Sequence, residues 1–123
     1  MPPQQFPLLF LSLEVPCGQG TTIASGDSTG VVRQWDLRKM AELHTLQLTP
    51  AGKAINACRF DRSGQVLAVA SDSGKVLCLD ASTGATAKEL EGHTGPVHDL
   101  AFTEEGLLSA GADGSLRIWG RNV

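Results

Sequence analysis

Apolar residues along this chain fall in short runs of four to seven, each bounded by Gly, Asp, Ser or Pro. Runs of that length with that punctuation predict β-strands joined by tight turns, and helix is locally disfavoured. A first set of strands is predicted at 9–15, 21–26, 31–36 and 43–48, and a second at 55–60, 66–71, 76–80 and 87–91. A third set holds only 97–102, 107–111 and 115–119, so its outermost strand is missing. The middle run Val66-Leu67-Ala68-Val69-Ala70 is apolar at both parities. Successive side chains of a strand point to opposite faces, so this strand needs cover on both sides, as in stacked sheets.

The sets are copies of one another. Arg33-Gln34-Trp35-Asp36-Leu37, Leu77-Cys78-Leu79-Asp80-Ala81 and Arg117-Ile118-Trp119-Gly120 place a bulky apolar residue at 35, 79 and 119, spaced by 44 and 40. Upstream, Phe60 and Phe102 are 42 apart, as are Gly64 and Gly106. A repeat of about this length signals units that bury their faces only against one another. Ser28-Thr29-Gly30, Asp72-Ser73-Gly74 and Asp113-Gly114 each link the second strand of a unit to the third, and glycine there supplies a positive φ at no steric cost.

Composition narrows the function classes. The 123 residues are 41% hydrophobic and 19% charged, with a net charge of −3 and scattered cations, so no basic stripe is offered to nucleic acid. Cys17, Cys58 and Cys78 form neither a CxxC pair nor an even set, which predicts reduced thiols and neither a disulfide framework nor a zinc site. Phe6 to Leu13 is apolar, but Pro7 interrupts it and no Lys or Arg precedes it. That stretch is read neither as a secretory signal nor as a membrane span, and a soluble protein is expected.

The third unit resembles the WD-repeat family: Gly92-His93 opens it, Val97 to Phe102 follows, Asp113-Gly114 makes the turn and Trp119 closes the third strand. The resemblance implies an all-β fold, a partial β-propeller of about three four-stranded antiparallel blades at 9–48, 55–91 and 97–123, after an N-terminal extension at 1–8. It also implies that His93, Ser109, Asp113 and Trp119 form a structural hydrogen-bond chain. The first unit keeps Ser25, Trp35 and Asp36 but has Thr29 at the turn, and the second has Val69, Ser73 and Leu79. Those two blades are expected to rely on packing alone. Residues 31–48 and the INACRFDRSGQVLAVAS run further resemble the terminal blades of the spliceosomal U-box ubiquitin ligases. That likeness implies nuclear localisation, links to mRNA splicing and protein ubiquitination, and spliceosomal proteins as partners. The catalytic U-box has no counterpart in the sequence, so no enzyme activity, cofactor or metal is expected.

A protein-binding scaffold is therefore the expected function. Its candidate binding rim is the set of turns at Asp27, Ser28, Thr29, Asp72, Ser73 and Ala112 with the linkers holding Lys53 and Thr94. Partners are expected to be proteins or peptides, with no direct nucleic acid or membrane contact. Three blades do not close a ring, so further blades or self-association are expected. Asp72-Ser73-Gly74 also matches the short signature of a dimeric aspartic hydrolase, an alternative function, and a non-functional truncated product is another. Its coincidence with the repeated turn favours a structural role. His93 and His98 lack the further ligands that zinc requires, Gly18-Gln19-Gly20 lacks the third glycine of a phosphate cradle, and the periodic Trp35 and Trp119 are expected in the core.

Overall fold

The computed structural model describes residues 10–14, 22–50 and 52–120. The predicted extension at 1–8, together with Cys17 and Gly18-Gln19-Gly20, lies outside them. The described residues form eleven strands and no helix: β1 (Phe10–Glu14), β2 (Thr22–Asp27), β3 (Val31–Asp36), β4 (Ala41–Gln47), β5 (Ile55–Phe60), β6 (Val66–Ser71), β7 (Lys75–Asp80), β8 (Thr86–Glu91), β9 (Val97–Thr103), β10 (Gly106–Gly111) and β11 (Leu116–Ile118). Consecutive strands pair antiparallel into three sheets, β1-β2-β3-β4, β5-β6-β7-β8 and β9-β10-β11. This is a partial β-propeller of three blades, the last with three strands.

The sheets stack because their faces are apolar. On β6 and β7, Leu67, Val69, Leu77 and Leu79 join Ala24 and Val32 of the first sheet in one core. The alternate residues Ala68, Ala70, Val76 and Cys78 join Val97, Leu100 and Leu107 of the third sheet in another. The two parities of one strand thus serve two different neighbours, which is why the middle strands are apolar throughout. Cys58 and Cys78 are buried thiols within these cores.

Outer strands follow a different rule. β4 and β8 are largely exposed and carry charged side chains such as Glu42, Lys88 and Glu89, which discourages pairing with other chains. Both begin earlier than the apolar pattern suggests, at Ala41 and Thr86. Each also contains a bulge: partners step from Gln34↔His44 to Trp35↔Glu42 and from Cys78↔Lys88 to Leu79↔Thr86, leaving Leu43 and Ala87 as extra residues. The predicted glycine turns are present, with φ of 90° at Gly30, 85° at Gly74 and 82° at Gly114.

Candidate functional site

The β2–β3, β6–β7 and β10–β11 turns lie on one rim, which we call the upper rim, because the linkers that enter and leave each sheet bind them. Leu48 N donates to Gly30 O at 3.0 Å, Asp72 N to Ala54 O at 2.9 Å and Ala112 N to Pro96 O at 2.8 Å. Side chains reinforce the same joints. Thr49 Oγ1 donates to Lys53 O at 2.6 Å, and Gln47 Nε2 to Thr29 O at 2.7 Å. The structure therefore brings the turns and linkers singled out in the sequence to one edge of the stack.

In the third sheet a hydrogen-bond chain runs from the core to this rim. Trp119 Nε1 donates to Ser109 Oγ at 2.8 Å, and Ser109 Oγ lies 2.6 Å from His93 Nε2. His93 Nδ1 stands 3.2 Å from Asp113 Oδ1. One proton arrangement satisfies every member: the serine hydroxyl donates to Nε2, and the Nδ1–H of a neutral imidazole donates to the carboxylate. Asp113 also accepts Ser115 Oγ at 2.6 Å and Thr94 N at 3.0 Å. Ser115 and Thr94, followed by His93, hold this carboxyl far below the ordinary carboxylate range. The Ser-His-Asp order is that of a hydrolytic triad, but Ser109 is 1% exposed and its oxygen receives the indole N–H. No substrate carbonyl reaches such an oxygen.

The first sheet corrects the expectation that it relies on packing alone. Trp35 Nε1 donates to Ser25 Oγ at 3.1 Å, the same pairing found 84 positions later in Trp119 and Ser109. Asp27 is a second correction. Placed among the rim contacts by the sequence, it is fully buried, and its carboxylate accepts Thr29 N at 2.9 Å, Thr29 Oγ1 at 2.7 Å and Arg33 Nη1 at 2.7 Å. Burial raises its pKa, but the hydrogen bonds from Thr29, Arg33 and Val31 outweigh burial and hold it below the ordinary 3.8. Such a group organises the turn from inside and presents nothing to a partner.

In the second sheet, Val69 and Leu79 occupy the serine and tryptophan places as fully buried core residues. The turn there is held by Ser71 Oγ and Ser73 Oγ at 2.6 Å. Asp72 accepts Asn56 Nδ2 at 2.9 Å, while the same nitrogen reaches Val97 O at 2.8 Å in the third sheet. Asp72 is thus a turn residue, and Asn56, which donates to it, ties the second blade to the third. Of the other rim residues, Lys53, Ser73, Thr94 and Ala112 are exposed, and Ser28 and Thr29 are partly so. Trp35 and Trp119 are half-buried. Arg33 and Asn56 were missed in the sequence, although a polar residue inside an otherwise apolar strand was the available signal.

The model of the WD domain, G-beta repeat, matches residues 41–80 and 84–120. Each match spans the outer strand of one sheet and the first three of the next, so the sequence repeat is offset from the sheet by one strand. The chain is 30% identical over 100 residues to WD repeat-containing protein 36 of Homo sapiens, covering 80% of this chain and 11% of that protein. It is 31% identical over 97 residues to a guanine nucleotide-binding protein subunit beta of Schizosaccharomyces pombe, covering 77% and 31%. A U3 small nucleolar RNA-associated protein 21 homolog of the same yeast is 28% identical over 92 residues, covering 73% and 10%. The chain spans a tenth to a third of the length of these relatives. With the repeat, the sheets and the matched residues in agreement, the chain belongs to the WD-repeat family.

Proposed function

We propose that this chain is a protein-binding scaffold whose upper rim docks proteins or peptides without chemistry. The observation that carries this reading is the fixing of the rim turns to the linkers by backbone hydrogen bonds, such as Ala112 N to Pro96 O at 2.8 Å. A rim held in one geometry loses little entropy on binding, and it leaves Lys53, Ser73, Thr94 and Ala112 exposed for contact. The outer face of the third sheet, with Leu116 68% and Ile118 65% exposed, is covered by further blades or by a second copy.

The partner class follows from resemblance. Residues 31–48 are similar to the C-terminal blades of pre-mRNA-processing factor nineteen, and one relative is named for association with a small nucleolar RNA. We assign the chain to a nuclear, splicing-linked assembly associated with protein ubiquitination, in which it supplies recognition. The test is co-purification of the tagged chain from nuclear extract, beside a variant carrying K53E, S73R, T94R and A112R. Splicing proteins recovered by the parent and lost by the variant support the reading. Recovery of proteins of another class removes the splicing assignment, and recovery unaffected by the four changes removes the upper rim.

A further inference from the structure

The same strand positions serve each contact between sheets. Ala24 and Val32 of the first sheet share a core with Leu67 and Leu79 of the second. Ala68 and Val76 of the second, 44 positions further on, share a core with Leu107 of the third, and Trp119 packs against it. Each sheet thus presents one apolar set to the sheet after it and another to the sheet before it.

The third sheet presents the forward set once more. Leu108 pairs in register with Ile118 and Ala110 with Leu116, just as Ala68 pairs with Cys78 and Ala70 with Val76. In the second sheet these four residues are fully buried. In the third, Leu116 at 68% and Ile118 at 65% are the most exposed large apolar side chains among the described residues. Successive side chains alternate between faces, so both stand on the side turned away from the second sheet. An apolar face of this kind marks a contact surface.

The chain carries a matching face at its other end. The face with which the third sheet meets the second holds Leu107 and Trp119, and Trp119 Nε1 donates to Ser109 Oγ at 2.8 Å. The first sheet has the same construction 84 positions earlier. There Ile23 pairs in register with Trp35, and Trp35 Nε1 donates to Ser25 Oγ at 3.1 Å. Ile23 and Trp35 alternate with Ala24 and Gln34, so they lie on the face turned away from the second sheet, and both are only half-buried. The first sheet is therefore built like the sheet that covers Ala68, Ala70, Val76 and Cys78.

Building on the covered outer face described above, we propose that this face of the third sheet docks on the first sheet of a second copy of the chain, and that two copies close on each other through two such contacts. In each contact Leu116 and Ile118 lie against Ile23 and Trp35, as Val76 and Cys78 lie against Leu107 and Trp119 within one chain. Blade number selects the two-copy form. Propeller rings hold about four to eight blades; with three sheets per chain, two copies supply six and three copies supply nine. A head-to-tail contact that closes satisfies every face, whereas one that does not close grows into a filament. What the upper rim binds does not enter, so a failed co-purification there leaves the expected mass unchanged.

The test is the mass of the purified 123-residue chain by sedimentation equilibrium. The expected species has twice the 12.9 kDa of one chain. L116E/I118E and I23E each place a carboxylate in the apolar contact and are expected to weaken self-association by about tenfold or more, with far-UV circular dichroism showing that the sheets remain. Mixed in equal amounts, the two variants are expected to regain the dimer mass, because one contact then joins two intact faces while the other joins two altered ones. A single-chain mass in the parent, which leaves the face to blades of another protein, would overturn the proposal. So would dimers that resist L116E/I118E, or dimers that yield to it but resist I23E, the mark of two third sheets packed face to face. A mass that keeps rising with concentration would overturn it as well, since the contact would then not close.

Discussion

Arg33 meets Asp27 at 2.7 Å beneath the β2–β3 turn, with the acid's side chain 0% exposed and that of the arginine 12%. The acid is shut off from solvent and the arginine nearly so, yet together they shape the turn above them. Removing the cation leaves a buried carboxylate with the hydrogen bonds from Thr29 and Val31. We expect R33M to lower unfolding free energy by about 3 kcal/mol in urea titrations. D27N/R33M should lose less than the two single changes summed, because asparagine carries no charge. Wild-type stability in R33M would show that the pair is idle.

Acid sensitivity follows from the same carboxyl. Because its pKa is held below 3.8 in the folded protein, Asp27 keeps its charge to lower pH there than in the unfolded chain. Its stabilising contribution is complete above about pH 4 and disappears as pH falls through the folded value. D27N should therefore flatten the loss of stability between about pH 4 and about pH 2. Asp80 and Asp113, shifted in the same direction, leave part of the slope in place. Parallel acid limbs in parent and variant would contradict this.

Ser109 serves two partners, Trp119 and His93, from a buried position. S109A leaves the indole N–H and an imidazole nitrogen without that oxygen, at a cost of about 2 kcal/mol. W119F removes the donor and part of the packed indole, at about 1–2 kcal/mol. Since both changes break one bond, a double-mutant cycle by chemical denaturation should give a coupling of at least about 0.5 kcal/mol. Strict additivity would mean that the chain is not a unit.

Gly26 marks a close approach between the first two sheets, since an added Cβ there would run into the side chain of Ile55. G26A should cost about 1–3 kcal/mol through overpacking. Adding I55V opens space for the methyl, so the pair should cost less than the sum. At Gly114 the surroundings are open, and only its φ of 82° opposes alanine. G114A should therefore cost about 1 kcal/mol, with no rescue from a neighbouring truncation.

The blades were legible because repetition and alternation are local signals. β3, β5 and β6 fall on their predicted residues, and the two-sided apolar pattern of β6 announces both cores. The polar interior was less legible. Asp27 reads as one more turn acid, and only the fold puts it opposite Arg33, six residues away across the hairpin. Asn56 bridges to Val97 of another sheet, 41 positions on, a contact no repeat specifies.

The fold rests on neighbouring sheets sharing faces, and methyl and amide NOE measurements test that directly. A cross-peak is expected between the Ile55 γ2-methyl and the Gly26 Hα on one side of the middle sheet, and between the Asn56 side-chain amide and the Val97–His98 backbone on the other. A folded sample in which β5 shows NOEs only within its own sheet would contradict the stacked arrangement.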